Sequence, residues 1–168
     1  MIISIILLIL SFLIEGLAST YIQSSFTSFN LFSTLYTLIA LIVIYPYFYN
    51  EKKYYILLII FSSLIDIVYT NTFMLNLFLF IIISFIVKIL NFILPENILM
   101  VNIMALCSVW LYYVFSYIIL TVINYNTYPI GLLIDICINN VIMTIIYTSL
   151  LYFISKWLFN KFDMKQIR

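Results

Sequence analysis

Histidine is absent from the 168 residues, glycine and cysteine occur twice each, proline three times, and charged residues make up only 8% of the chain. Without histidine the commonest acid–base group and the commonest metal ligand are missing. No HExxH or paired-cysteine spacing offers a metal site in its place. Cys107 and Cys137 lie inside apolar runs and read as small core residues rather than a disulfide or redox pair. A net charge of +1 provides no basic field for nucleic acid. Neither a Gly-rich phosphate loop nor a nucleophile elbow is present. Asp66 and Asp135 could form an acid–base pair in principle, but nothing in their spacing favours it, so neither an enzyme nor a cofactor is expected.

What the chain has is apolar surface. It is 67% hydrophobic, with 15 Tyr and 15 Phe. A water-soluble domain of this size has no means of hiding so much apolar area, whereas lipid is a natural solvent for it. Spanning the hydrocarbon core takes about 20 helical residues, and polar breaks divide the chain into six runs near that length. The expected helices run from about Ile2 to Ala18, Leu31 to Tyr49, Tyr54 to Tyr69, Phe73 to Leu94, Ile98 to Ile123 and Ile130 to Phe159. Between them lie a polar loop from Ser19 to Asn30, a charged turn Asn50-Glu51-Lys52-Lys53, a short turn Thr70-Asn71-Thr72, a break at Pro95-Glu96-Asn97 and a turn from Asn124 to Pro129. Pro129 suits a first helical position. The opening MIISIILLIL lacks a basic leader and a cleavage site, and reads as a retained helix. A β-barrel would alternate polar and apolar residues with period two, and these runs do not. The expected fold is therefore all-α: one polytopic membrane domain of about six transmembrane helices.

The cations set the expected orientation. Lys52 and Lys53, Lys88 (by snorkelling), and the Lys156, Lys161, Lys165 and Arg168 that close the chain all fall on the side that holds the N-terminus. The three turns on the other side carry none. The positive-inside rule then places both termini in the cytoplasm. Trp157, Tyr152 and the aromatic stretch from Tyr45 to Tyr49 read as interfacial anchors at the same ends.

Three acids fall within the expected helices: Glu15, Asp66 and Asp135. A charge at a helix centre costs about 2.5–3.5 kcal/mol on insertion scales, so each needs a reason. All three are expected in the outer third of the bilayer, where the chain has no Lys or Arg to pair with them. Two readings stand: each acid reaches water or a headgroup about one turn away, or the acids line an outward pocket or meet a partner's helix. Asn139 and Asn140, in the middle of the last helix, read first as helix–helix glue and second as ligand-binding amides. Asn102, Ser108 and Ser116 are weaker cases of the same kind. The small residues Ser62-Ser63 permit close helix approach.

Two stretches carry a resemblance to a known family. The first helix ends SFLIEGLAS, and the third runs through its turn into the fourth as SSLIDIVYTNTFMLNLFLF. An Asp ending the third helix, a Thr/Asn turn and a second apolar helix resemble the signature of the MreD family of rod-shape-determining membrane proteins. The amide in the last helix and the basic tail also resemble that family's C-terminal part. On this resemblance Asp66 matches the recognisable acidic position, Glu15 an acidic or amide position, and Asn140 or Asn139 the late amide. Leu58 and Ser62 stand where the family usually has glycines, Met74-Leu75-Asn76 where a glycine is common after the turn, and Asp135 roughly where a proline is often seen. The resemblance implies a scaffold in the bacterial inner membrane. It would sit beside an MreC-like protein and help link cytoplasmic MreB filaments to a RodA-like glycosyltransferase and its penicillin-binding transpeptidase, supporting sidewall peptidoglycan synthesis. The family is thought to share its architecture with substrate-binding subunits of energy-coupling-factor transporters. A small-molecule-binding subunit of that kind is therefore the alternative, although the first helix, with only Gly16 and Ala18 near its outer end, lacks the usual A-x-x-x-A docking motif.

Overall fold

A computed structural model describes residues 2–23, 35–70, 74–93, 95, 97–123 and 130–161. Six α-helices carry the fold, and no strand occurs among the described residues: α1 (Ile2–Gln23), α2 (Tyr36–Ile44), α3 (Glu51–Ile65), α4 (Leu75–Ile93), α5 (Ile98–Val122) and α6 (Ile130–Lys161). The segments Glu51–Thr70, Leu75–Ile93, Ile98–Val122 and Ile130–Lys161 are each long and apolar enough to cross a bilayer, and Ile2–Ala18 and Tyr36–Tyr47 are shorter apolar helices. The chain is an all-α, multi-pass membrane protein.

The helices differ in which faces they bury, and their sequences explain why. Every residue of α2, YTLIALIVI, is buried, because this helix is enclosed by α1, α5 and α6 and touches α4. A helix apolar on all sides fits such a central place. In α4 the buried residues Asn76, Leu79, Phe80, Ile83, Ser84 and Val87 follow the helical period, while Phe78, Phe85, Ile89 and Phe92 face outward. The buried residues of α5 end at Tyr112 and those of α6 begin at Asn140, so the distal parts of this pair run beyond the core. Asn102 of α5 donates from Nδ2 to Ser149 Oγ of α6 at 3.1 Å, a side-chain hydrogen bond between helices of the kind expected for it. Ser108 instead donates to the Met104 carbonyl within its own helix.

Several boundaries differ from the sequence expectation. Helix α1 continues five residues past Ala18, to Gln23, into the stretch read as a polar loop. The expected charged turn at Asn50–Lys53 is instead the start of α3. Asn50 Oδ1 accepts from the Lys52 backbone N–H at 3.0 Å as an N-cap, and Glu51 favours the positive end of the helix dipole. Helix α2 stops at Ile44 rather than Tyr49, because Pro46 lacks an N–H and the chain winds into a 3-10 turn over Tyr45–Tyr47. Helix α3 ends in a π-helical turn, Asp66–Thr70. Cys107 is exposed on α5 and Cys137 half-buried on α6, so the expectation that both are core residues fails for Cys107, whose position faces away from the bundle. The expected breaks at Asn71-Thr72, at Glu96 and at Asn124–Pro129, and the tail cations Lys165 and Arg168, lie outside the described residues.

One end of the bundle gathers the charge. Lys88 Nζ of α4 lies 2.7 Å from the Glu51 carboxylate of α3. Tyr47 stacks on Phe159 of α6 with centroids 4.0 Å apart, and Ser4 of α1 borders the same small cavity as Tyr47 and Lys53. The first turns of α1, the α2–α3 connection, the end of α4 and the end of α6 therefore meet at one level. Lys156 and Lys161 sit over the rings of Tyr152 and Trp157, at 5.6 and 5.2 Å from their centroids. The described cations, Lys52, Lys53, Lys88, Lys156 and Lys161, lie toward this end.

Candidate functional site

The end of the bundle away from Lys88 and Lys161 contains a polar layer built on the first turns of α2 and α4. Helix α4 begins at Leu75. Helix α2 and its 3-10 turn together span only Tyr36–Tyr47. The first backbone N–H groups of a helix have no partner within it. Inside an apolar slab each one left unsatisfied costs several kcal/mol.

Two carboxylates meet this need. Asp66 is 3% exposed. Its Oδ1 accepts from the backbone N–H and the Nδ2 of Asn76, and its Oδ2 from the backbone N–H of Leu77, all at 3.0 Å. These are the second and third residues of α4, the positions that an N-cap side chain normally serves. Asp66 thus caps α4 from the end of the preceding helix. Glu15 of α1 does the same for α2. Its Oε2 accepts from the Thr37 backbone N–H at 2.9 Å and from the Thr37 hydroxyl, and Thr37 is the second residue of α2. Helices α1 and α3 therefore each send an acid into the N-terminus of the helix that follows, where the helix dipole also favours a negative charge.

Around these caps the polar groups interlock. Asn76 Nδ2 also donates to Thr70 Oγ1 at 2.9 Å, and the Tyr112 hydroxyl of α5 donates to Asn76 Oδ1. Asn76 is fully buried and ties α3, α4 and α5 together. The Tyr147 hydroxyl of α6 donates to Ser11 Oγ of α1 at 2.8 Å, and the Tyr147 ring packs edge-on against Tyr36. Tyr69, within the π-helical turn, donates to the Phe12 carbonyl at 2.8 Å and lies against the Phe12 ring. That approach requires Gly16, where an added Cβ would come within 2.9 Å of Tyr69 Cζ.

The expected site residues therefore separate. Glu15 and Asp66 join one layer, but by a third route that neither sequence reading contained: they satisfy backbone donors of their own chain. Asp135 does not join them. It is exposed on α6, 22 residues or about 33 Å of helix from Trp157. Asn140 is buried and Asn139 half-buried on α6. Thr37, Asn76 and Tyr112 were not anticipated. Thr37 and Asn76 each stand second in an apolar helix, which is a signal of a kind, whereas Tyr112, in the middle of α5, carries none. Met74, just before α4, has φ of 56°, the left-handed region that favours glycine. No cluster of three or more potential metal ligands occurs among the described residues.

No protein-family profile matches the chain, and neither a curated protein nor a solved structure shows significant similarity to it.

Proposed function

We propose that this chain is a membrane scaffold of the bacterial cell-elongation machinery. In that role it engages an MreC-like protein and a RodA-like glycosyltransferase with its transpeptidase through contacts within the bilayer. One observation carries the reading. Asp66, buried, and Glu15, half-buried, are engaged by the N-termini of α4 and α2, so their chemistry serves the rigidity of the fold. What the chain then offers to others is its long apolar helix faces, such as Ile134, Ile138, Ile142 and Ile145 on α6. A rigid bundle with apolar outer faces suits helix–helix association in lipid. The resemblance at SSLIDIVYTNTFMLNLFLF supplies the identity of the partners. The same observation weighs against a solute-binding subunit, whose acids would need to face a cavity rather than backbone donors.

The reading places the lysine-rich end in the cytoplasm of the inner membrane. Depletion of the protein is expected to give rounded cells, and affinity purification from membranes to recover an MreC-like protein. Co-purification of an ATPase pair, with cell shape unchanged, would instead support the transporter subunit. A reporter fused after Arg168 is expected to be cytoplasmic; an external one overturns the orientation.

A further inference from the structure

Beside the cytoplasmic-end ion pair, a groove of about 870 Å³ runs between the start of α3 and the end of α4. Its volume is in the range of small-molecule sites. One end holds Glu51 and Lys88, joined at 2.7 Å with both side chains about half-exposed, and Tyr45 stands beside them. The other wall is apolar, formed by Phe85, Ile89 and Phe92, all exposed. A groove with two opposite charges at one end and hydrocarbon along its length matches one class of molecule.

The geometry points to a phospholipid of the inner leaflet whose headgroup carries both a phosphate and a primary amine. Lys88 has three N–H donors and uses one on Glu51, which leaves donors for a phosphate oxygen without breaking the pair. The Glu51 carboxylate has a second oxygen that accepts from a lipid ammonium. A purely anionic headgroup would meet the Glu51 charge, and a quaternary amine has no N–H to donate to it. The aromatic and aliphatic wall takes the upper acyl chain, and the rest of the lipid remains in the bilayer. The site lies at the level of Trp157 and Tyr47, where interfacial aromatics sit against headgroups. It uses no residue of the polar layer around Glu15 and Asp66, and only the choice of leaflet rests on the orientation proposed above.

Native mass spectrometry of the full chain in detergent tests this, with phosphatidylethanolamine, phosphatidylglycerol and phosphatidylcholine added in turn. Phosphatidylethanolamine is expected to be retained most strongly. Lys88→Ala should lower its retention about two- to fivefold, as fits a single half-exposed charged contact. Glu51→Gln should erase its advantage over phosphatidylcholine. Ile89→Trp, which fills the groove at an exposed position and leaves both charges in place, should lower retention of all three lipids. Equal retention of the three lipids by the unaltered chain, or retention unaffected by Lys88→Ala and Ile89→Trp, overturns the proposal.

Discussion

The carboxylate of Asp66 lies at the N-terminus of α4, 3.0 Å from the backbone nitrogens of Asn76 and Leu77, although it belongs to the preceding helix. A cap supplied from another helix does more than satisfy donors. It fixes the angle and height at which the two helices meet, because the carboxylate must face the opened first turn. Glu15 repeats the arrangement with Thr37 one helix pair earlier.

Removal of the Asp66 carboxylate is expected to destabilise the bundle more than removal of a surface acid. Asp66→Ala leaves two backbone N–H groups buried without an acceptor, at a cost of about 2–4 kcal/mol. Asp66→Asn keeps one acceptor oxygen and should lose about half of that. Thermal unfolding in detergent, followed by size-exclusion monitoring, should rank the unaltered chain first, Asn second and Ala last. Equal melting of the three would remove the capping role.

Thr37→Val tests the α1–α2 cap from the other side. It deletes the hydroxyl that donates to Glu15 while the Thr37 backbone N–H bond remains. The expected loss is about 1–2 kcal/mol, less than for Glu15→Ala, which removes the acceptor of both. Double-mutant analysis of Glu15→Ala with Thr37→Val should be strongly non-additive, because the second substitution has nothing left to lose on the hydroxyl side.

Gly16→Ala is expected to push Tyr69 off α1, since the new Cβ would sit 2.9 Å from Tyr69 Cζ. Overpacking of this kind costs about 1–3 kcal/mol. Tyr69→Leu in the same chain should recover part of the loss by clearing the ring, and the two substitutions together should melt above Gly16→Ala alone.

Met74→Gly is expected to stabilise. A side chain held at φ 56° carries a penalty of about 1–2 kcal/mol, of which glycine's larger unfolded-state entropy returns part. A net gain of about 0.5–1 kcal/mol should show as a higher melting temperature. Met74→Ala, which keeps the Cβ, should show none.

Asn102 and Ser149 join α5 to α6, the pair whose distal turns run beyond the core. Their coupling, measured by a double-mutant cycle of Asn102→Ala and Ser149→Ala, is expected near 0.6 kcal/mol, typical of a polar contact between membrane helices. The exposed Glu51–Lys88 pair should couple by less than about 1 kcal/mol.

Much of the helix plan was legible because it depends on composition along the chain. Runs of Ile, Leu and Phe near twenty residues long have one stable form in lipid, and Asn50 or Pro46 marks a boundary through its own backbone chemistry. The ends that were misplaced are those where a neighbouring helix decides. Helix α2 can be short because four helices enclose it. Of the polar residues, Asn102 bonded across to the adjacent helix as its type suggests, whereas Asn76 and Tyr112 carried no role in apolar text until folding brought them together.

The order of charges and apolar runs determined by itself that this chain lives in a bilayer, is helical and gathers its lysines at one end, because each of those outcomes follows from the transfer cost of individual side chains. Which donors Glu15 and Asp66 would answer was decided only by tertiary structure. A carboxylate reads the same in sequence whether it meets water, a partner or a helix end. The opened first turns of α2 and α4 exist at those heights only once the bundle has packed.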